Sequence, residues 1–160
     1  MTRILVCYFS KSGTTERMAE EIVKGIKKSK AEVEVDLLKV NEVDVKTIPD
    51  YDGLILGSPT YYGLPAAEIK GLLDESVTHH GDLEGMVGGA FTSSANPGGG
   101  NETTILAMLE ALIIHGMVVK GMPEGDHYGP IVVGEPSDRE LKQCKKYGSE
   151  IAKLVRKLRK

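Results

Sequence analysis

The stretch ILVCYFSKSGTTERMAEEI, residues 4–22, decides the fold. Its first part, Ile4 to Phe9, is a continuous apolar run, the pattern of a strand covered on both faces. Its last part begins a helical stripe: Met18, Ile22 and Ile26 recur at spacing four, with Ala19 and Val23 beside them. The spacing predicts a helix over Thr14–Ser29. Between strand and helix lie Ser10, Lys11, Ser12, Gly13, Thr14 and Thr15. A helix N-terminus presents free N–H groups and the positive end of its dipole, which together favour a phosphate dianion. Hydroxyls add neutral donors, and Gly13 admits close approach or positive φ. The same residues also read as a plain cap, with Thr14 or Thr15 closing the turn and nothing bound.

Outward from this unit, strand and helix patterns alternate. Strands are predicted at Val33–Leu38, Tyr51–Gly57 and Met86–Thr92, the last thinned by Gly88-Gly89. Met117–Lys120 and Ile131–Val133 read as one interrupted fifth strand. Helices are predicted over Pro65–Val77, Glu102–His115 and Ser137–Lys160. The final helix carries a stripe of Leu141, Cys144, Gly148, Ile151, Val155 and Leu158, which turns Cys144 to the core. Alternating β and α elements imply a parallel sheet with helices on both faces. The expectation is α/β, an open doubly wound five-stranded parallel sheet, in one domain over residues 1–160.

The totals agree with one core. The chain has 160 residues, 41% hydrophobic and 27% charged, with a net charge of −3. No basic footprint for nucleic acid and no polybasic membrane patch is evident. No apolar run approaches the ~20 residues of a membrane span. MTRILVCYF enters a strand directly and carries no signal-peptide pattern, so a cytoplasmic protein is expected. Cys7 and Cys144 match no metal or redox spacing. His79-His80 are adjacent and lack a third ligand, so they read as solvated loop histidines. One glutamine and three asparagines against abundant Lys and Glu is a composition expected of a thermophile.

Ligands of such sheets bind outside the carboxyl ends of the strands, where strand order reverses. The first loop lacks the parts of its rivals. It has no GxxxxGK[ST], no GxGxxG, no acidic residue before Glu16, and no arginine six residues after Cys7. The loop after the third strand reads Gly57-Ser58-Pro59-Thr60-Tyr61-Tyr62-Gly63, where two adjacent tyrosines offer a surface for a flat ring. The loop after the fourth contains Ser93, Ser94, Ala95, Asn96, Gly98 and Gly99, whose bare N–H groups suit the polar edge of a ring. Each loop also has a bland reading, as core cover or surface turn. Together they suggest a flat heteroaromatic joined by a linker to a terminal phosphate. FMN fits, and spacing alone leaves other phosphorylated ring compounds open.

The segments YFSKSGTTERMA, GSPTYYGLPAAEIK, FTSSANPGGGNETT and HGMVV resemble the flavodoxin-like superfamily over nearly the whole chain. The similarity is greatest to the NAD(P)H:quinone oxidoreductases related to tryptophan-repressor-binding protein. The resemblance implies strand order 2-1-3-4-5. It implies that Ser10 to Thr15 hold the FMN phosphate, that Thr60, Tyr61 and Tyr62 contact the isoalloxazine, and that Ser93 to Gly98 hydrogen-bond its pyrimidine edge, with Pro59, Gly63 and Gly99 also in the cofactor-binding set. It places His115 near the pyrimidine carbonyl. It implies NADH or NADPH as donor, hydride transfer through flavin N5, a quinone-like acceptor, no catalytic side chain, and a homo-oligomer, dimer or tetramer. The chain departs from that branch in having no tryptophan and only a short excursion, about Gly121 to Pro130, within strand five. A flavodoxin-type carrier that docks on a redox partner protein, and an FMN-binding regulatory module, are the rival readings.

Overall fold

A computed structural model describes residues 1–159. The helix expected to end at Lys160 therefore has its last residue outside the described residues. Strand β1 (Arg3–Tyr8) lies centrally, pairing in parallel with β2 (Glu34–Lys39) on one side and β3 (Gly53–Tyr61) on the other. Its continuous apolar run serves two cores by alternation. Ile4, Val6 and Tyr8 pack with α1 (Thr14–Lys28) and α4 (Asp138–Leu158). Leu5 and Cys7 pack on the other face with α2 (Ala67–Glu75) and α3 (Asn101–Ile114). The fold is thus a three-layered α/β arrangement.

The sheet has seven strands rather than five, in the order β2-β1-β3-β5-β6, where β5 is Val87–Ser94 and β6 is Val118–Val119, with β4 (Leu64–Pro65) and β7 (Ile131–Val133) off that path. Both additions have local causes. Strand β3 runs on past Gly57 to Tyr61 and turns back antiparallel into β4 (Leu64–Pro65). Pro65 therefore lies in a hairpin, not in the first turn of a helix. Proline is tolerated there because a short outer strand does not need its N–H. Helix α2 starts instead at Ala67, ends at Glu75, and passes into a 3-10 turn over Ser76–His79.

The other addition is the divided fifth strand. β6 (Val118–Val119) pairs with Val87 and Gly88 at the start of β5 (Val87–Ser94), and β7 (Ile131–Val133) pairs with its end. Ala90 falls in the gap, and its N–H donates to Tyr147 Oη from α4 at 3.0 Å. This bond accounts for Gly89, where a Cβ would stand 2.5 Å from that oxygen, while a Cβ at Gly88 would crowd Leu112 at 3.1 Å. Tyr147 is among the largest fully buried side chains. Tyr147→Phe should cost about 1–3 kcal/mol by leaving the Ala90 N–H unmet, read as a fall in the urea midpoint.

Helices α1 and α4 touch backbone to backbone at Gly25 and Gly148. A Cβ on Gly25 would overlap Lys145 O, and one on Gly148 would overlap Ile22 O. Cys7 and Cys144 are wholly buried, one in each core. Burial pushes each thiol up to about 12. Neither should react with a disulfide-exchange reagent in the native state at pH 8, and both should titrate in denaturant. Among the described residues no helix is long and apolar enough to cross a membrane.

Candidate functional site

The carboxyl edge of the sheet holds a cavity of about 440 Å³, within the range of small-ligand sites. Three loops meet in it. Lys11, Ser12, Thr14 and Thr15 come from the first, Pro59, Thr60 and Tyr61 from the end of β3, and Ser93, Ser94 and Ala95 from the end of β5.

The first loop is built around Gly13. It is the N-cap of α1 with φ 101°, and it makes no side-chain cap bond. The cap residue is therefore Gly13 and not Thr14 or Thr15. Gly13 N donates to Ser10 Oγ at 3.1 Å, so Ser10 shapes the turn rather than the cavity wall. Thr15, 2% exposed, bonds Ser93 Oγ through Oγ1 at 2.9 Å, tying the first loop to β5. The first turn of α1 is left with backbone donors that no side chain caps, an arrangement suited to an anion.

The second loop is a tight hairpin. Tyr62 (φ 52°) and Gly63 (φ 73°) are its two central residues, and positive φ at both is the geometry that matches strand twist. A tyrosine held at positive φ is strained. Tyr62 is fully exposed, while Tyr61, 40% exposed, stands on the cavity wall. The hairpin is pinned from two sides. Thr103 Oγ1 donates to Gly63 O at 2.8 Å, and Ala66 N donates to Ser58 Oγ at 2.8 Å. Below it, Thr60 and Thr92 hydroxyls meet at 3.0 Å, and Thr92 donates to Ser58 O at 2.7 Å.

The third loop folds on itself beyond Ala95. Asn96 O accepts from Gly99 N at 3.1 Å and from Ser94 Oγ at 3.2 Å. Gly100 caps α3 at φ 94°, where a Cβ would come within 2.5 Å of Gly63 Cα. Asn96, Gly98 and Gly99 thus form a turn beside the cavity, not its lining, as do Tyr62 and Gly63.

The structure separates His115 from this group. Helix α3 starts at the carboxyl edge, and its 14 residues carry the chain about 21 Å back toward the amino edge. His115 follows its last residue, three positions before β6 pairs with the start of β5. Its Nε2 lies 2.8 Å from Ser76 Oγ. Within one chain His115 lines a different cavity from the carboxyl-edge one, so it is not among the residues that the fold itself brings to that site.

Two lining residues escaped the sequence reading, Gly134 and Glu135, which follow β7. Gly134 N donates to Ser94 O at 2.8 Å, holding this turn against the third loop. The signal was available: they stand at the carboxyl end of the fifth strand, as the other loops do for theirs. Lys11 and Glu135 are the charged side chains on the wall. Among the described residues no group of three His, Cys, Asp or Glu could hold a metal.

The chain belongs to the flavodoxin family, which its residues 6–112 match. A quinone-type NAD(P)H dehydrogenase of Archaeoglobus fulgidus is 33% identical, covering 99% of this chain and 100% of its own. A flavodoxin of Aquifex aeolicus is 34% identical, covering 97% and 88%. Among solved structures, a flavodoxin from the domain Archaea superposes with a TM-score of 0.80 at 27% identity, covering 96% and 99%. A flavodoxin, WrbA-like protein of Agrobacterium tumefaciens gives 0.79 at 25%, covering 98% and 99%.

Proposed function

We propose that the protein binds FMN in the carboxyl-edge cavity and uses it to oxidise NADH or NADPH and reduce a quinone-like acceptor. The observation that carries this reading is the convergence of an uncapped helix N-terminus, a tyrosine wall and a polar third loop on one cavity. The residues suit the cofactor. The first loop offers backbone and hydroxyl donors to a phosphate, with Lys11 adding positive charge. Pro59, Thr60 and Tyr61 offer a flat wall for the ring system, and Ser93 to Ala95 offer polar atoms to its edge.

When bound, the flavin would supply the hydride and electron chemistry. The chain's part is to hold and orient it. Glu135 is the one carboxylate on the wall, and no histidine stands there, so no side chain is assigned as a general acid or base. The half-exposed Tyr61 and exposed Tyr62 leave the rim open to a second, small reactant. The curated quinone dehydrogenases related to the chain support this reading.

A second reading, an electron carrier without its own NAD(P)H oxidation, is favoured by length. The chain aligns over 162 and 163 positions with two flavodoxins, against 190 and 197 with two quinone dehydrogenases. The relatives of enzymatic description thus carry residues that this chain lacks. One assay decides. FMN-loaded protein is given NADH or NADPH with a benzoquinone, and nucleotide oxidation is followed. Turnover supports the reductase. Absence of nucleotide oxidation, with the bound flavin still reducible by dithionite, supports the carrier. Failure to take up FMN overturns both.

A further inference from the structure

Helices α1 and α4 carry the same residue type at the same place in their first turn, and use it differently. In α4 the N-cap is Ser137 and the third helical residue is Glu140, whose carboxylate reaches back and accepts from Ser137 N at 2.7 Å. The 3-10 turn over Val40–Glu42 closes in the same way, with Glu42 accepting from Lys39 N at 2.8 Å. A glutamate at that position is a common closure of a helix start, because it satisfies backbone donors that the helix leaves open. In α1 the N-cap is Gly13 and the third residue is Glu16. Its carboxylate makes no such bond, and Gly13 N donates to Ser10 Oγ instead.

Glu16 is held elsewhere. Tyr8 Oη donates to Glu16 Oε1 at 2.6 Å, and Lys39 Nζ lies 3.7 Å from the same oxygen. Tyr8 ends β1 and is 4% exposed, its ring packed in the core with Met18 and Ala19. Burial first, and then the bond to Glu16, push the phenol up, so it stays a protonated donor. The ring is fixed by its packing, while the Glu16 side chain is 38% exposed and fixed by these two partners. Without them, the closure that Glu140 makes in α4 is open to Glu16 in α1. A carboxylate in that position takes backbone donors from an anion and repels it.

We propose that Tyr8 is a positioning residue for the cofactor phosphate: it holds Glu16 off the start of α1 and keeps that helix end open to an anion. Lys39 assists by offsetting part of the Glu16 charge. The inference rests on the first loop being the phosphate site and names what keeps it open.

The experiment titrates the full chain and its variants with FMN and with riboflavin, which lacks the phosphate, and follows quenching of flavin fluorescence. Tyr8→Phe should lower FMN affinity about ten-fold. Its riboflavin affinity should stay within about two-fold of the native value. Adding Glu16→Ala to Tyr8→Phe should restore FMN binding, because the competing carboxylate is then gone. Glu16→Asp leaves the buried ring in place and draws the carboxylate out of its reach, so it should show the same FMN-selective loss. Unchanged FMN affinity in Tyr8→Phe overturns the proposal. So does a loss shared equally by riboflavin, or one that Glu16→Ala fails to restore, since either makes Tyr8 a packing residue only. A native chain that binds FMN no more tightly than riboflavin overturns the phosphate site itself, and that result is seen before any variant is made.

Discussion

Replacing Gly13 by aspartate abolishes FMN uptake while the fold survives: this is the expected result at the first loop. Two effects add. Gly13 sits at φ 101°, a conformation that an L side chain enters only with strain. No heavy atom lies within 4 Å of where its Cβ would be, so the new side chain clashes with nothing. The structural cost is then about 1–2 kcal/mol, visible as a modest fall in the melting temperature. The electrostatic cost falls on the ligand. A carboxylate at the N-cap stands where the first-turn backbone donors of α1 are open to a dianion, and repels it. The expected loss of affinity is at least about a hundred-fold, ~2.7 kcal/mol. Gly13→Ala separates the two effects, because it brings the strain without the charge and should lose far less. Fluorescence titration of free FMN measures both, and unchanged affinity in Gly13→Asp would remove the first loop as the phosphate site.

The largest expected loss of stability comes from Gly148→Ala. Its Cβ would overlap Ile22 O of α1, and Gly25 meets Lys145 O in the same way from the other helix. Backbone cannot step aside as a flexible side chain can. The helices must separate, and the packed layer of Met18, Ile22, Ile151 and Val155 separates with them. Overpacking of this kind costs about 3 kcal/mol or more. A comparison within the molecule makes the point sharper. Gly71 lies inside α2 with open space around its Cβ position. Gly71→Ala should stabilise the protein by about 0.5–1 kcal/mol through helix propensity and a restricted unfolded chain. Urea midpoints of the two variants should move in opposite directions. Equal effects would mean that α1 and α4 do not meet as described.

The layered fold is legible in the sequence because its signals are local. The run Ile4–Phe9, the stripe Met18–Ile22–Ile26 and the alternation of elements require no knowledge of distant contacts. The hairpin was not legible. Ser58-Pro59-Thr60 reads as loop by composition, yet its hydroxyls are bonded across to Thr92 and Ala66, which only the folded sheet brings near. Tyr147 was missed because it stands one residue off the regular stripe, and its reason for burial is an N–H on another element. The site was legible as three loops because each follows a strand. Its details were not: Asn96, Gly98 and Gly99 turn back on themselves, and His115 is carried away by the length of α3. Gly134 and Glu135 were passed over because the fifth strand is divided in sequence, although its second half ends beside Ser94.

The hydroxyl bond between Thr15 and Ser93 joins two segments 78 positions apart in the chain. With the Thr60–Thr92 pair and the Thr103–Gly63 contact, it stitches the three walls to one another rather than to a ligand. The cavity is therefore preorganised. A molecule that enters it need not fasten the walls together, and the entropy of ordering them is spent when the chain folds. Heat that loosens one wall loosens all three, so loss of the cofactor and loss of the native sheet should fall within the same thermal transition.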